Sequence, residues 1–186
     1  MKNKSWLLIS FFFLGGICLL LACSSKSNAS KSSLPVTILL TQTAAYCGGA
    51  QPPEELLNAL ATPQPLAGEK MFIRSGNKNN PGETSIIEVV TGADGSASFF
   101  LNAGEYYVVF ENKQDKTTYE EYKIKYGSGS GYYEPIDLKC LDEWLSKPEL
   151  VFVVSDTMIN PLTLNVYKPC SWNSIPCAQF TGSLPP

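Results

Sequence analysis

Thr91-Gly92-Ala93-Asp94-Gly95-Ser96-Ala97-Ser98-Phe99-Phe100-Leu101-Asn102-Ala103-Gly104-Glu105-Tyr106-Tyr107-Val108-Val109-Phe110 carries the clearest signature of fold class in the chain. Ala97, Phe99 and Leu101 fall on one face of a strand over Gly95 to Leu101, and Tyr106, Val108 and Phe110 on one face of a second over Glu105 to Glu111. Gly95 sits where a turn feeds the first strand, and Gly104 allows a tight return into the second. Two neighbouring strands, each with an apolar side, predict a sheet that must bury that side against another layer.

On either side of this pair the same punctuation continues. Val36 to Thr43, Met71 to Arg74 and Ser85 to Thr91 are β-branched or apolar runs bounded by Pro, Gly or Asn. Downstream, Tyr119 to Tyr126 alternates, with Tyr122, Ile124 and Tyr126 opposed to Glu121, Lys123 and Lys125, and reads as a strand with one wet face. Val151 to Val154 and Leu162 to Tyr167 bring the expected total to about eight strands. Two short helices interrupt them. Pro52, Pro53, Glu54 and Glu55 suit a first turn, Leu56, Leu57 and Leu60 form an apolar edge, and Pro63 ends the helix. Leu138, Leu141 and Leu145 stripe a second, from Leu138 to Ser146, that stops before Pro148 and sets Cys140 beside Trp144.

Pro65-Leu66-Ala67-Gly68-Glu69-Lys70-Met71-Phe72-Ile73, together with Thr91 to Phe99 and Leu101 to Val108, resembles the carboxypeptidase regulatory-like domains over roughly Val36 to Phe110. That resemblance implies a mainly β, prealbumin-like (transthyretin-like) antiparallel sandwich of about seven to eight strands with two short helices. It also implies a module whose activity is carried elsewhere. Gly92 stands where these domains often carry Asp, and an insertion with Cys47-Gly48-Gly49 precedes Pro65.

The N-terminus has Lys2 and Lys4 before an apolar run from Trp6 to Leu21, closed by Leu20-Leu21-Ala22-Cys23, which resembles the lipobox of bacterial lipoproteins. The resemblance implies that residues 1–22 are a signal peptide and that Cys23 becomes an acylated first residue, carrying palmitate-type chains. An ordinary secretory signal or an uncleaved helix are the alternatives. The apolar stretch is shorter than the roughly 20 residues a spanning helix needs. Ser24 to Ser33 (SSKSNASKSS) is a polar tether, giving the division 1–22, 23–34 and a single domain over 35–186 with a C-terminal disulfide loop and Pro-rich tail. Ser24, rather than Asp, after the cysteine points to the outer membrane, periplasmic or surface-facing. Tyr46-Cys47-Gly48-Gly49-Ala50 with a late Cys-x6-Cys is also similar to uncharacterised lipoproteins of the Bacteroidetes type.

With 14 basic and 17 acidic side chains the chain carries a formal charge of −3, and loss of Lys2 and Lys4 makes it more acidic. Nucleic acid needs a concentrated basic surface and is excluded as a partner. Cys18 leaves with the signal, so Cys47, Cys140, Cys170 and Cys177 remain, an even set suited to two disulfides in an oxidising compartment. Cys170 with Cys177, closing a loop around Trp172, and Cys47 with Cys140 is the favoured of three connectivities, which stay open. A four-thiolate metal site lacks a C-x-x-C pair and any histidine, and no metal or other cofactor is expected.

The absence of histidine removes Ser-His-Asp and Cys-His catalysis. Ser75-Gly76-Asn77-Lys78 has S-x-x-K spacing but lies in a Gly/Asn turn without companion motifs. The adjacent carboxylates Glu54/Glu55, Glu120/Glu121 and Asp142/Glu143 suit solubility and helix ends, and Gly127 to Gly131 reads as a mobile connection. Two patches are candidate binding surfaces: Tyr119, Tyr132 and Tyr133 around that glycine-rich loop, and Trp172 with the tail Phe180 to Pro186. Each has a plainer use as cover for an edge of the sandwich. The expectation is a non-catalytic envelope lipoprotein, held to membrane lipid through Cys23, that binds or scaffolds an envelope protein or glycan. A small envelope enzyme acting on glycans with carboxylates, or a thiol- or metal-binding protein, are the alternatives.

Overall fold

A computed structural model describes residues 33–183; Cys23, the residues 1–22 expected to be a signal peptide, and the last three residues of the Pro-rich tail lie outside them. The strands are β1 (Leu34–Ala44), β2 (Gln64–Pro65), β3 (Lys70–Ser75), β4 (Ile87–Val90), β5 (Ser96–Leu101), β6 (Gly104–Phe110), β7 (Leu150–Val154) and β8 (Leu162–Lys168). Three helices join them: α1 (Glu54–Ala61), α2 (Thr117–Tyr126) and α3 (Leu138–Ser146), with 3-10 turns at Glu111–Lys113 and Ser171–Asn173. The fold is a mainly β sandwich. In one sheet β1 is flanked by β5 and β2 on one side and β8 on the other; the second runs β4-β3-β6-β7. All pairings are antiparallel except β8 with β1, which runs parallel from Ile38↔Leu162 to Ala44↔Lys168 and departs from the all-antiparallel expectation.

The period-2 reading holds in β5 and β6. Ala97, Phe99 and Leu101 of β5 and Val36, Ile38 and Leu40 of β1 face Met71, Ile73, Tyr106, Val108, Phe152 and Val154 across the interior. Burying each such side chain contributes about 1.5–3 kcal/mol, so the inter-sheet layer dominates stability. Gly95 seats this layer. Its φ is +76° and an added Cβ would strike the Leu40 carbonyl oxygen, while its own carbonyl accepts from Leu40 N–H at 2.9 Å.

The second sheet is covered on its outer face too, which is why β3 reads as an unbroken apolar run. Phe72, Tyr107 and Val109 form a separate buried cluster there, and Arg74 beside them is 1% exposed. The guanidinium donates to Asn79 Oδ1 (2.9 Å), the Asn80 carbonyl (3.2 Å) and the Gln114 carbonyl (2.9 Å). Asn79 in turn donates to the carbonyls of Lys113 (2.9 Å) and Leu145 (2.8 Å). One buried cation thereby ties the loop after β3 to the turn after β6 and the end of α3. Lys113 is also buried and pairs with Glu149 at 2.7 Å.

Helix α2 corrects the strand expected over Tyr119 to Tyr126. Tyr119, Tyr122 and Tyr126 recur at helical spacing and pack with Ile136, Leu141 and Trp144 in a satellite core, leaving Ile124 83% exposed. Asp115 Oδ1 accepts the Thr117 N–H at 2.7 Å and starts the helix. Helix α3 has the expected bounds, capped by Asp137, whose Oδ1 accepts from the N–H groups of Lys139 and Cys140. Helix α1 forms as expected, but no residue of it is fully buried, and Leu56 and Leu57 of its leucine edge are exposed.

The chain enters at Leu34, and β1 is eleven residues long, roughly 33 Å at about 3.3 Å per residue. Because β8 is parallel to β1, both strands end at the pole opposite that entry point.

Candidate functional site

The segments that continue β1 and β8 meet at that far pole and build the site between them. Cys47 is bonded to Cys170 (Cα–Cα 5.5 Å) and Cys140 to Cys177 (Cα–Cα 5.7 Å), which corrects the favoured pairing. Parallel strands deliver Cys47 and Cys170 side by side. Ile175, Cys177 and Ala178 are drawn against Tyr126, Ile136 and Leu141, which carries Cys177 to Cys140 on α3 instead of back to Cys170. Disulfides of this kind belong to proteins that fold outside the reducing cytosol, so this is an extracellular or envelope protein.

A cleft of about 370 Å³ lies over the Cys47–Cys170 bridge, walled by Tyr46, Tyr167 and Trp172 with Asn173 at its edge; no residue lining it is charged. The sequence builds each wall. Tyr167 is the outward residue near the end of β8, 63% exposed, where the alternation of Leu164 and Val166 turned inward leaves it outside. The Tyr46 ring lies over Gly48, where any Cβ would collide with it. Trp172 sits on the 3-10 turn, closed by Asn173 N–H to the Cys170 carbonyl at 2.8 Å.

The two aromatic patches read from the sequence meet here. Trp172 and Phe180 rings are 6.4 Å apart, Phe180 contacts Tyr133 at 5.4 Å and Tyr132 at 6.0 Å, and Tyr133 meets Tyr126 at 5.2 Å. The tail is laced to the glycine-rich segment: Glu134 N–H donates to the Gln179 carbonyl (3.0 Å) and Thr181 N–H to that of Tyr132 (2.6 Å). That segment is a closed turn, with Ser130 and Tyr133 exchanging backbone hydrogen bonds, where a mobile connection was expected. Tyr132 stays 67% exposed, while Tyr133 and Trp172 are half-buried.

Tyr119 does not join them. It faces a different cleft of about 310 Å³ with Lys116, Glu120, Lys123 and Asp142. Its hydroxyl donates to Asp142 Oδ1 at 2.7 Å, and that bond to a carboxylate raises the phenol above its ordinary range. Sequence reasoning missed Tyr46 and Tyr167 as walls. The one signal for Tyr167 was a bulky ring in the register otherwise held by Thr163 and Asn165.

A third cleft, of about 400 Å³, opens at the sandwich mouth on the other side of β8, with Glu69, Glu111 and Lys168 among its walls. Burial raises the Glu69 carboxyl above the usual range; Lys168 opposes that shift and Glu111 adds to it. Among the described residues no group of three or more His, Cys, Asp or Glu side chains is placed to hold a metal ion. Among the same residues no helix is long and apolar enough to cross a membrane.

No protein-family profile matches the chain, and no curated protein matches it significantly. Among solved structures, the fimbrial protein FimP from Actonomyces oris aligns with it at 17% identity and a TM-score of 0.28, covering 74% of this chain and 29% of that one. At that similarity the alignment assigns no role. Fold and site together define a disulfide-stapled β-sandwich with an uncharged aromatic cleft at one pole.

Proposed function

We propose that the protein is a non-catalytic recognition module held at a bacterial envelope, on the outer membrane, by acyl chains on Cys23, and that the stapled aromatic pole is its contact surface. The carrying observation is the polarity of the domain. The chain enters at Leu34, at one end of β1, and the Cys47–Cys170 bridge stands past the other, so Tyr132, Tyr167 and Trp172 gather at the end of the domain remote from its point of entry. Several acyl chains would anchor stably where one would not, at about 0.8 kcal/mol per buried methylene. Exposed aromatics on a rigid support are favourable binding anchors because little side-chain freedom is lost on contact. The lack of any histidine and the resemblance to modules that accompany activities carried elsewhere support a role in binding.

A photo-crosslinking amino acid in place of Tyr132, compared in intact cells with the same group in place of the exposed Phe100, which pairs with Pro35 near the entry point, tests this. A defined adduct from position 132 that Trp172→Ala abolishes is expected. Adducts from position 100 alone, or none from either, contradict the proposal.

A second reading rests on Glu69. A carboxyl with a raised pKa near a second carboxylate, Glu111, within one cleft is the kind of pair that serves acid–base hydrolysis of glycans. Release of reducing sugar from an envelope polysaccharide, abolished by either Glu69→Gln or Glu111→Gln, would establish this reading; no release from any substrate would dismiss it.

A further inference from the structure

We infer that the occupant of the Tyr46/Tyr167/Trp172 cleft is an uncharged saccharide; this rests on the recognition reading above and names its ligand class. Three features of the cleft converge on that chemistry. The first is shape and size: about 370 Å³, toward the small end of small-ligand sites and suited to a sugar ring or two, not to a protein surface. The second is the lining. A pyranose presents a C–H face rimmed by hydroxyls, and it is met by flat ring faces that also carry polar edges. Tyr46, Tyr167 and Trp172 supply the faces together with two hydroxyls and an indole N–H, and Asn173 adds an amide that both donates and accepts.

The third feature is charge. No residue lining the cleft is ionisable at neutral pH, whereas the clefts at Tyr119 and at Glu69 combine lysine with carboxylates. A uronic acid, sulfate or phosphate would enter without a cation to receive it, and a peptide partner would find no charged rim to fix its register. Neutral sugars lose nothing by that absence. The walls are also held before any ligand arrives, by the Cys47–Cys170 bridge, by the Tyr46 ring seated over Gly48 and by the closed turn under Trp172. Such preorganisation matters for a weak ligand, because ordering costs would otherwise consume the small gain from stacking.

The test uses the full acylated chain in detergent micelles, titrated by calorimetry with neutral oligosaccharides (β-linked glucose, mannose and N-acetylglucosamine oligomers) and with uronic-acid and sulfated oligosaccharides. Expected is binding of at least one neutral class, weakened about tenfold or more by Trp172→Ala and by Tyr167→Ser, unchanged by Tyr119→Phe in the other cleft, and insensitive to salt. Tyr167 is largely exposed, so its variant keeps the fold even if Trp172→Ala loosens the contact with Phe180. Preference for the acidic sugars with affinity falling as salt rises, or neutral binding that neither variant weakens, overturns the inference. No binding to any sugar, alongside a Trp172-dependent protein adduct from position 132 in cells, overturns the saccharide and leaves the recognition reading standing; absence of both removes the two together.

Discussion

Trp172 and Phe180 touch, ring centroids 6.4 Å apart, and that contact fuses two aromatic patches that lie far apart in the chain into one surface at the end of the sandwich. Phe180 holds the junction because it also meets Tyr132 and Tyr133. Peptide mapping under non-reducing conditions is therefore expected to return Cys47 linked to Cys170 and Cys140 linked to Cys177, with no titratable thiol among these four. The Cys47–Cys170 bridge spans 123 residues and the other 37, so paired serine substitutions at Cys47 and Cys170 should destabilise by roughly 1 kcal/mol more than at Cys140 and Cys177. Unfolding in urea measures that difference.

Gly95 should tolerate no side chain. Its left-handed backbone and the Leu40 carbonyl oxygen facing it predict that Gly95→Ala costs about 2 kcal/mol or more. Gly68 also has positive φ but open space around it, so Gly68→Ala should cost about 1 kcal/mol. Equal midpoints for the two variants would remove the steric argument.

Arg74 joins two segments through its guanidinium, the loop after β3 at Asn79 and Asn80 and the turn after β6 at Gln114. Arg74→Met preserves the stem but strands Asn79 Oδ1 and two carbonyls, and is expected to cost about 3 kcal/mol. Hydrogen exchange should localise the loosening to residues 76–85 and the turn after β6, leaving the β1/β5 interior protected.

Glu69 gives a pH dependence of defined sign. Burial raises its carboxyl in the folded state, so the folded protein holds that proton more tightly than the unfolded chain, and stability falls as pH rises through the folded value. Glu69→Gln should therefore raise the unfolding midpoint at neutral pH and confer no gain below about pH 4. A gain confined to acid pH would reverse the assignment.

What the sequence disclosed depends on how many elements each residue must satisfy. The β5 and β6 faces were legible because Ala97, Phe99, Leu101, Tyr106 and Val108 each answer to one interface, and α3 because the leucine stripe and Pro148 agree. Tyr119 to Tyr126 was not, since Tyr122 and Tyr126, four apart, share a face at period 2 and period 3.6 alike, and the satellite core of Ile136, Leu141 and Trp144 chooses the helix. Cys170 is brought to Cys47 by the parallel run of β8 beside β1 and Cys177 to Cys140 by packing against the satellite core, two long-range facts with no local trace. Of the candidate binding residues, Trp172, Tyr132 and Tyr133 come together at one pole, Tyr119 faces another cleft, and Tyr46 and Tyr167 take their place from where two strands end.

Lipid anchoring is decided by mass spectrometry of the amino-terminal fragment, from protein purified from the membranes of its native host. The expected fragment begins at Cys23 and carries fatty acyl chains on it. An unmodified cysteine, or a chain recovered free of membrane with its amino terminus elsewhere, would refute the envelope-tethered recognition module.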